Sequence, residues 1–177
     1  MNSYVLASRF MKLFWANKER TVPSHLSVAS RFLSELVNFV GCIQQKEDVL
    51  LLVETMSSPF LDWLADMHLL DEKANYQLQR LWSEMLKGLQ QSQPSIKFYS
   101  LFLKFHEPLL ERALDHPNPA ISEATINFWN STYGAQNKLD FPTNLVPFLD
   151  MLSRNGKINI CSRNCYMEDT ISFLQGY

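Results

Sequence analysis

Glycine is scarce in this chain, five in 177 residues, and that scarcity removes most phosphate-cradling chemistry at once. A P-loop, a dinucleotide fingerprint and a nucleophile elbow each need glycines at fixed offsets, and none of these patterns, nor H-E-x-x-H, occurs. Cysteine is sparse too: three residues, an odd number, do not suggest a disulfide framework and suit a reducing intracellular setting. Apolar runs of about 18 residues are missing, so no membrane span is expected. The longest candidates, such as DVLLLVE from Asp48 to Glu54, meet charge within a turn or two. A formal net charge of −2 gives no general electrostatic case for nucleic acid. Strand alternation is confined to GKINIC, Gly156 to Cys161, too isolated to build a sheet.

What is present is enough to bury a core. The chain is 46% hydrophobic and 12% aromatic, which excludes a disordered or low-complexity protein, and its length fits one domain or several copies of a small unit. Charge is unevenly spread. Arg9, Lys12, Lys18, Arg20 and Arg31 face only Glu19 in the first 31 residues, whereas residues 46–75 are acidic. Arg154, Lys157 and Arg163 form a second basic patch, with no acid between Met151 and Met167. Solvated helix faces account for most such runs. The opening SYVLASRFMKLFWANK is basic and amphipathic, as a mitochondrial transit peptide is; a first helix lying across the next one carries the same pattern.

Periodicity is helical almost throughout. From Ser24 the residues Leu26, Ala29, Phe32, Leu33, Leu36, Val37 and Val40 recur at three and four until Gly41. KEDVLLLVETM predicts a short helix with acids in its first turn, and Ser58 with Pro59 predicts an N-cap and the start of a new one. Leu78, Leu81, Trp82, Met85, Leu86 and Leu89 follow the helical series without a miss. Ile96 to Leu114 is apolar on nearly all sides, as a helix covered on both flanks should be, and Pro108 should kink or split it near Glu107. In HPNPAISEATINFWNSTYG, Asn118 caps, Pro119 opens, Gly134 ends, and Ile121, Ala124, Thr125, Phe128, Trp129 and Thr132 form one stripe. That stripe places Phe128 and Trp129 in a core, against a helix carrying Phe102, Phe105 and Leu109. A last helix spans Thr143 to Ser153, and the remainder loses periodicity.

The fold class expected is all-α, a HEAT/armadillo-like solenoid segment of stacked antiparallel helix pairs. The joints recur at roughly 40 residues, so about four units fit, stacked in a right-handed solenoid segment. Residues 1–155 form the helical-repeat segment and 156–177 an irregular tail.

Candidate reactive groups are few. His25, His68, His106 and His116 fall in separate segments without a ligand-spaced partner. Cys161 and Cys165 are the best metal candidate, yet structural zinc takes four ligands and no second pair exists. Cys42, beside Gly41, reads as a small buried hydrophobe. Asp62 and Asp66, four apart on one helix face, have the spacing of a two-carboxylate site and read as an acidic solvent face. No catalytic residue, metal or cofactor is nominated, and enzymatic function is not expected.

One run carries a likeness. FLKFHEPLLERALDHPNPAISEATINFWNSTYGAQNKLDFPTNLVPFL, Phe102 to Leu149, resembles the last helical repeats of the N-terminal solenoid in the Rap-interacting factor family, nuclear proteins of telomeres, replication timing and double-strand-break repair. The marks are Pro108 to Leu110, the Phe128-Trp129-Asn130 triplet followed by a Thr-aromatic-Gly ending at Gly134, and the P-x-x-L of Pro142 to Leu145; RLWSEML, Arg80 to Leu86, is similar. The likeness extends from about residue 24 to residue 155, nearest in flavour to the plant type. It implies a non-enzymatic scaffold that brings protein phosphatase type 1 to chromatin and engages DNA. This chain lacks a basic residue followed by Val or Ile, one residue, then Phe or Trp, so the phosphatase-docking type of motif is not seen. It is far shorter than the family's solenoid, as a fragment or truncated form would be.

The first reading is therefore a segment of a nuclear chromatin scaffold with protein partners along its solenoid surface. Its DNA-phosphate contacts would come from Arg154, Lys157 and Arg163. The second is a generic ARM/HEAT adaptor that binds a peptide or helix in its concave groove and never meets DNA. An organellar helical-repeat protein is the third, resting on the basic N-terminus.

Overall fold

A computed structural model describes residues 3–160 of the 177. Within them lie seven α-helices: α1 Ser3–Ala16, α2 Pro23–Gly41, α3 Lys46–Ala65, α4 Glu72–Gln91, α5 Ser100–Leu114, α6 Pro119–Ser131 and α7 Val146–Arg154. Single 3-10 turns, Met67–Leu69 and Tyr133–Ala135, follow α3 and α6. The protein is all-α, with no strand among the described residues, residues 156–160 of GKINIC included.

Caps set the clearest boundaries. The Asp71 carboxylate accepts the Ala74 N–H at 2.8 Å and starts α4, and the Asn118 side chain accepts the Ala120 N–H at 2.9 Å to start α6 behind Pro119. Each satisfies an N–H that the helix itself leaves orphaned. The α4 stripe buries Leu78, Leu81, Trp82, Met85, Leu86 and Leu89, and α6 buries Ile121, Thr125, Phe128 and Trp129.

Neither internal proline splits its helix. The chain does not restart at Ser58: α3 runs unbroken from Lys46 to Ala65 with Pro59 inside it. Likewise α5 runs unbroken through Pro108. An interior proline costs a helix about 3 kcal/mol, while each fully buried large side chain returns roughly 1.5–3 kcal/mol. Met56, Phe60, Trp63 and Leu64 surround Pro59, and His106, Leu109 and Leu110 flank Pro108, all buried. Tertiary burial outweighs the local break.

Other boundaries shift for local reasons. α5 begins at Ser100, after Ile96 has already entered the core, and α7 begins at Val146, with Thr143 to Leu145 forming a turn. Nor is α5 covered all round: Leu101 and Phe105 are 69% and 58% exposed, so Phe105 does not pack on Phe128. Cys42 caps the C-terminus of α2 and faces solvent, not the core.

Packing connects helices two apart in the chain. α2 lies along α4, and α4 along α6; in the other row α1 packs on α3, and α3 on α5. Contacts of α3 with α4 and of α5 with α6 join the rows. Buried tryptophans span neighbours within a row. The Trp63 indole N–H donates to the Met11 carbonyl at 3.1 Å, tying α3 to α1, and that of Trp82 donates to Thr125 Oγ1 at 2.9 Å, tying α4 to α6. α1 also meets α2 through Phe10 and Phe32, stacked with centroids 3.9 Å apart.

Candidate functional site

The FWN triplet builds a clasp. On α6 the apolar stripe turns Phe128 and Trp129 inward, 3% and 0% exposed, and leaves Asn130 on the flank. Phe128 meets Phe98 edge-on at 5.6 Å. The Trp129 indole N–H donates to the Asn159 carbonyl at 3.3 Å. Asn130 uses both halves of its amide: Nδ2 donates to the Lys157 carbonyl at 3.0 Å, and Oδ1 accepts the Asn159 N–H at 2.8 Å. Gly134 lies under the same segment, where a Cβ would meet the Asn159 carbonyl at 2.8 Å and the Trp129 carbonyl at 3.1 Å. Only a residue without a side chain admits so close an approach. Together these residues seat Lys157–Ile160 against α6 with Ile158 buried. Next to them Tyr133 is buried, which pushes its phenol far above its ordinary value, Tyr99 adding to the effect.

The basic candidates divide. Arg154 ends α7 and Lys157 follows three residues on; both are exposed. Neither forms an ion pair, since the one salt bridge among the described residues joins Lys87 to Glu84 at 3.5 Å. The Gly156 N–H donates to the Ser153 carbonyl and the Lys157 N–H to the Leu152 carbonyl, folding the chain back over the end of α7. Arg163 lies outside the described residues. The carboxyl end of α7 carries the negative pole of its macrodipole, so phosphate contacts here would rest on the side chains alone. Of the N-terminal basic residues, Arg20 is committed to structure: its guanidinium sits 4.9 Å over the Trp15 ring and donates to the Trp15 carbonyl. Arg9, Lys12, Lys18 and Arg31 are exposed.

Two hollows accompany these groups. A cleft of about 420 Å³ between α1 and α2 is lined by Leu6, Phe10, Phe32, Leu36 and Phe39, with Glu35 its one charged residue. Another, of about 400 Å³, lies where α3 and α5 meet Phe148 of α7, and collects Asp62, Glu111, Arg112 and Asp115. Asp66 does not join Asp62 there; it caps α3, its N–H donating to the Asp62 carbonyl.

The histidines hold structure. His116 accepts the Asn118 N–H on Nδ1 at 3.0 Å, so its Nε2–H donates to the Leu64 carbonyl at 3.0 Å and ties the start of α6 to α3. His106 Nδ1 pairs with the Phe102 carbonyl, and burial lowers its pKa below the ordinary value, against an opposing effect of that hydrogen bond. Among the described residues no three His, Cys, Asp or Glu side chains converge as a metal site would require. Cys161 and Cys165 lie outside those residues.

The α1–α2 cleft and the two-sided grip of Asn130 were not anticipated from sequence. The cleft had a trace there, since Leu6, Phe10 and Leu13 fall on a different side of α1 from Tyr4 and Met11. No family profile, curated protein or solved structure matches this chain.

Proposed function

We infer that the chain is a segment of an ARM/HEAT-like helical-repeat scaffold that works by binding other macromolecules, as the likeness to the Rap-interacting factor family suggests. The observation that supports this reading most is the packing of helices two apart in two rows, the neighbour relation that stacked helix pairs produce. In this reading the scaffold acts in the nucleus, in telomere maintenance, replication timing and break repair. The α-helical surface takes protein partners, and chromatin contact falls to Arg154, Lys157 and Arg163.

Titration of a labelled duplex at two salt concentrations tests the chromatin part. Three phosphate contacts give a log–log salt slope near −2.7, at about 0.9 per phosphate. Replacing all three residues by Ala should remove that binding. Unchanged affinity in the triple variant would clear the patch and turn attention to Arg9, Lys12 and Lys18. A second reading, the peptide- or helix-binding adaptor without DNA, draws on the nearly uncharged α1–α2 cleft. Absence of duplex binding even at low salt would favour it. An organellar role rests only on the basic face of α1, and import of a fluorescent fusion decides it. No described helix is long and apolar enough to cross a membrane.

A further inference from the structure

Asn130 reads main chain. Its amide grips the carbonyl of residue 157 and the N–H of residue 159, the pair that an adjacent β-strand would engage, while Trp129 takes the carbonyl of residue 159. Lys157 and Asn159 are exposed, whereas Ile158 is buried and Ile160 is partly buried against the core. The grip is therefore indifferent to sequence except at two alternate aliphatic positions, the combination of main-chain hydrogen bonds and alternate side-chain seats by which peptides are recognised in strand addition. Gly134 completes the slot by leaving room for a backbone carbonyl where a Cβ would stand.

The occupant is held in a way that permits exchange. It enters after Gly156, whose φ of +67° suits glycine and whose surroundings are open, with nothing within 4 Å of a Cβ placed there. Both Asn130 hydrogen bonds lie at the surface, where water can replace them. Buried Ile158, partly buried Ile160 and the Lys157 N–H bond to the Leu152 carbonyl anchor the strap.

We propose that Trp129, Asn130 and Gly134 form a binding site for the main chain of a short peptide bearing aliphatic residues two apart, and that Lys157–Ile160 occupies and gates this site in cis. The site goes beyond the scaffold reading and does not depend on DNA contact. A tethered strap competes at an effective concentration of about millimolar, so an external segment binds when the strap is weakened.

The probe is a labelled, capped peptide with the sequence of Asn155 to Ile160. It should bind the full chain carrying Ile158→Asp saturably, and the unaltered chain about tenfold more weakly or less, because the strap lowers the competent fraction. Asn130→Ala added to Ile158→Asp should cut binding at least about tenfold, and a peptide with Asp at the Ile158 position should not bind. No saturable binding to a helical Ile158→Asp chain, or binding indifferent to Asn130→Ala, would overturn the proposal. Should Ile158→Asp lose its helical signal, amide exchange of the unaltered chain decides. The Asn159 amide should then exchange at least about tenfold faster than the amides of Phe128 and Trp129. Exchange in step with α6 would mean that the strap does not open.

Discussion

Trp129 has no exposed surface and its one donor is spent on the Asn159 carbonyl. Trp129→Ala opens a cavity and leaves that carbonyl without its partner, at a cost of roughly 3–5 kcal/mol. Chemical denaturation should show the loss; a variant melting cooperatively at unchanged denaturant would contradict its place in the core. His106 yields a pH dependence. Its pKa is lowered by burial, so the unfolded chain takes up the proton first. Stability is then full above the ordinary value of 6.5 and falls as pH drops through it toward the lowered one. The melting temperature should fall between about pH 7.5 and about pH 5.5, and His106→Leu should remove part of that fall. An identical pH slope in both proteins would refute it. At this scale the sequence was partly legible. Phe128, Trp129 and the Asn118 cap sat where spacing put them, because a stripe at three and four fixes the buried side. Phe105 and Cys42 did not, since apolar character alone does not say which side of a crowded helix finds a neighbour.

The helix start most legible in the sequence is the one Asn118 caps; the Asp71 cap of α4 appears only in the structure, and proline is the least reliable guide to a helix end. Local chemistry marks Pro59 and Pro108 as breaks, but burial on either side carries α3 and α5 through both. The two prolines differ in one respect: Pro59 is buried and Pro108 exposed. Pro108→Ala therefore restores a helical N–H at little cost in packing. It should stabilise the protein by about 2 kcal/mol, the helix penalty of proline less its restriction of the unfolded chain. A thermal melt shifted downward would show that Pro108 fits its helix without penalty. The strap at residues 157–160 was unreadable as an element, because it has no periodicity and its order comes from Asn130, some thirty residues earlier.

Across the whole molecule, the all-α class was legible from composition and period, while the order of packing was not, since it depends on which stripes meet. Helices α1 and α2 each pack on one neighbour in their row, and α4 has one on either side. Leu6 and Phe39 of the apolar cleft are exposed, and so are Val5, Leu13 and Val28 on the same two helices. An end of this kind should associate in water. Sedimentation velocity should show mass rising with concentration, and Leu6→Glu with Phe39→Glu should suppress it. A chain that stays monomeric at high concentration would count against an unfilled stacking face.

Native-state hydrogen exchange across α2, α4 and α6 tests the repeat-stack reading most directly. In a stack whose stability sums over neighbours, the buried amides of α4, flanked on both sides, should be protected most, with α2 and α6 opening at lower free energy. Equal protection in all three helices, each exchanging only with global unfolding, would instead describe one indivisible globule and contradict the repeat reading.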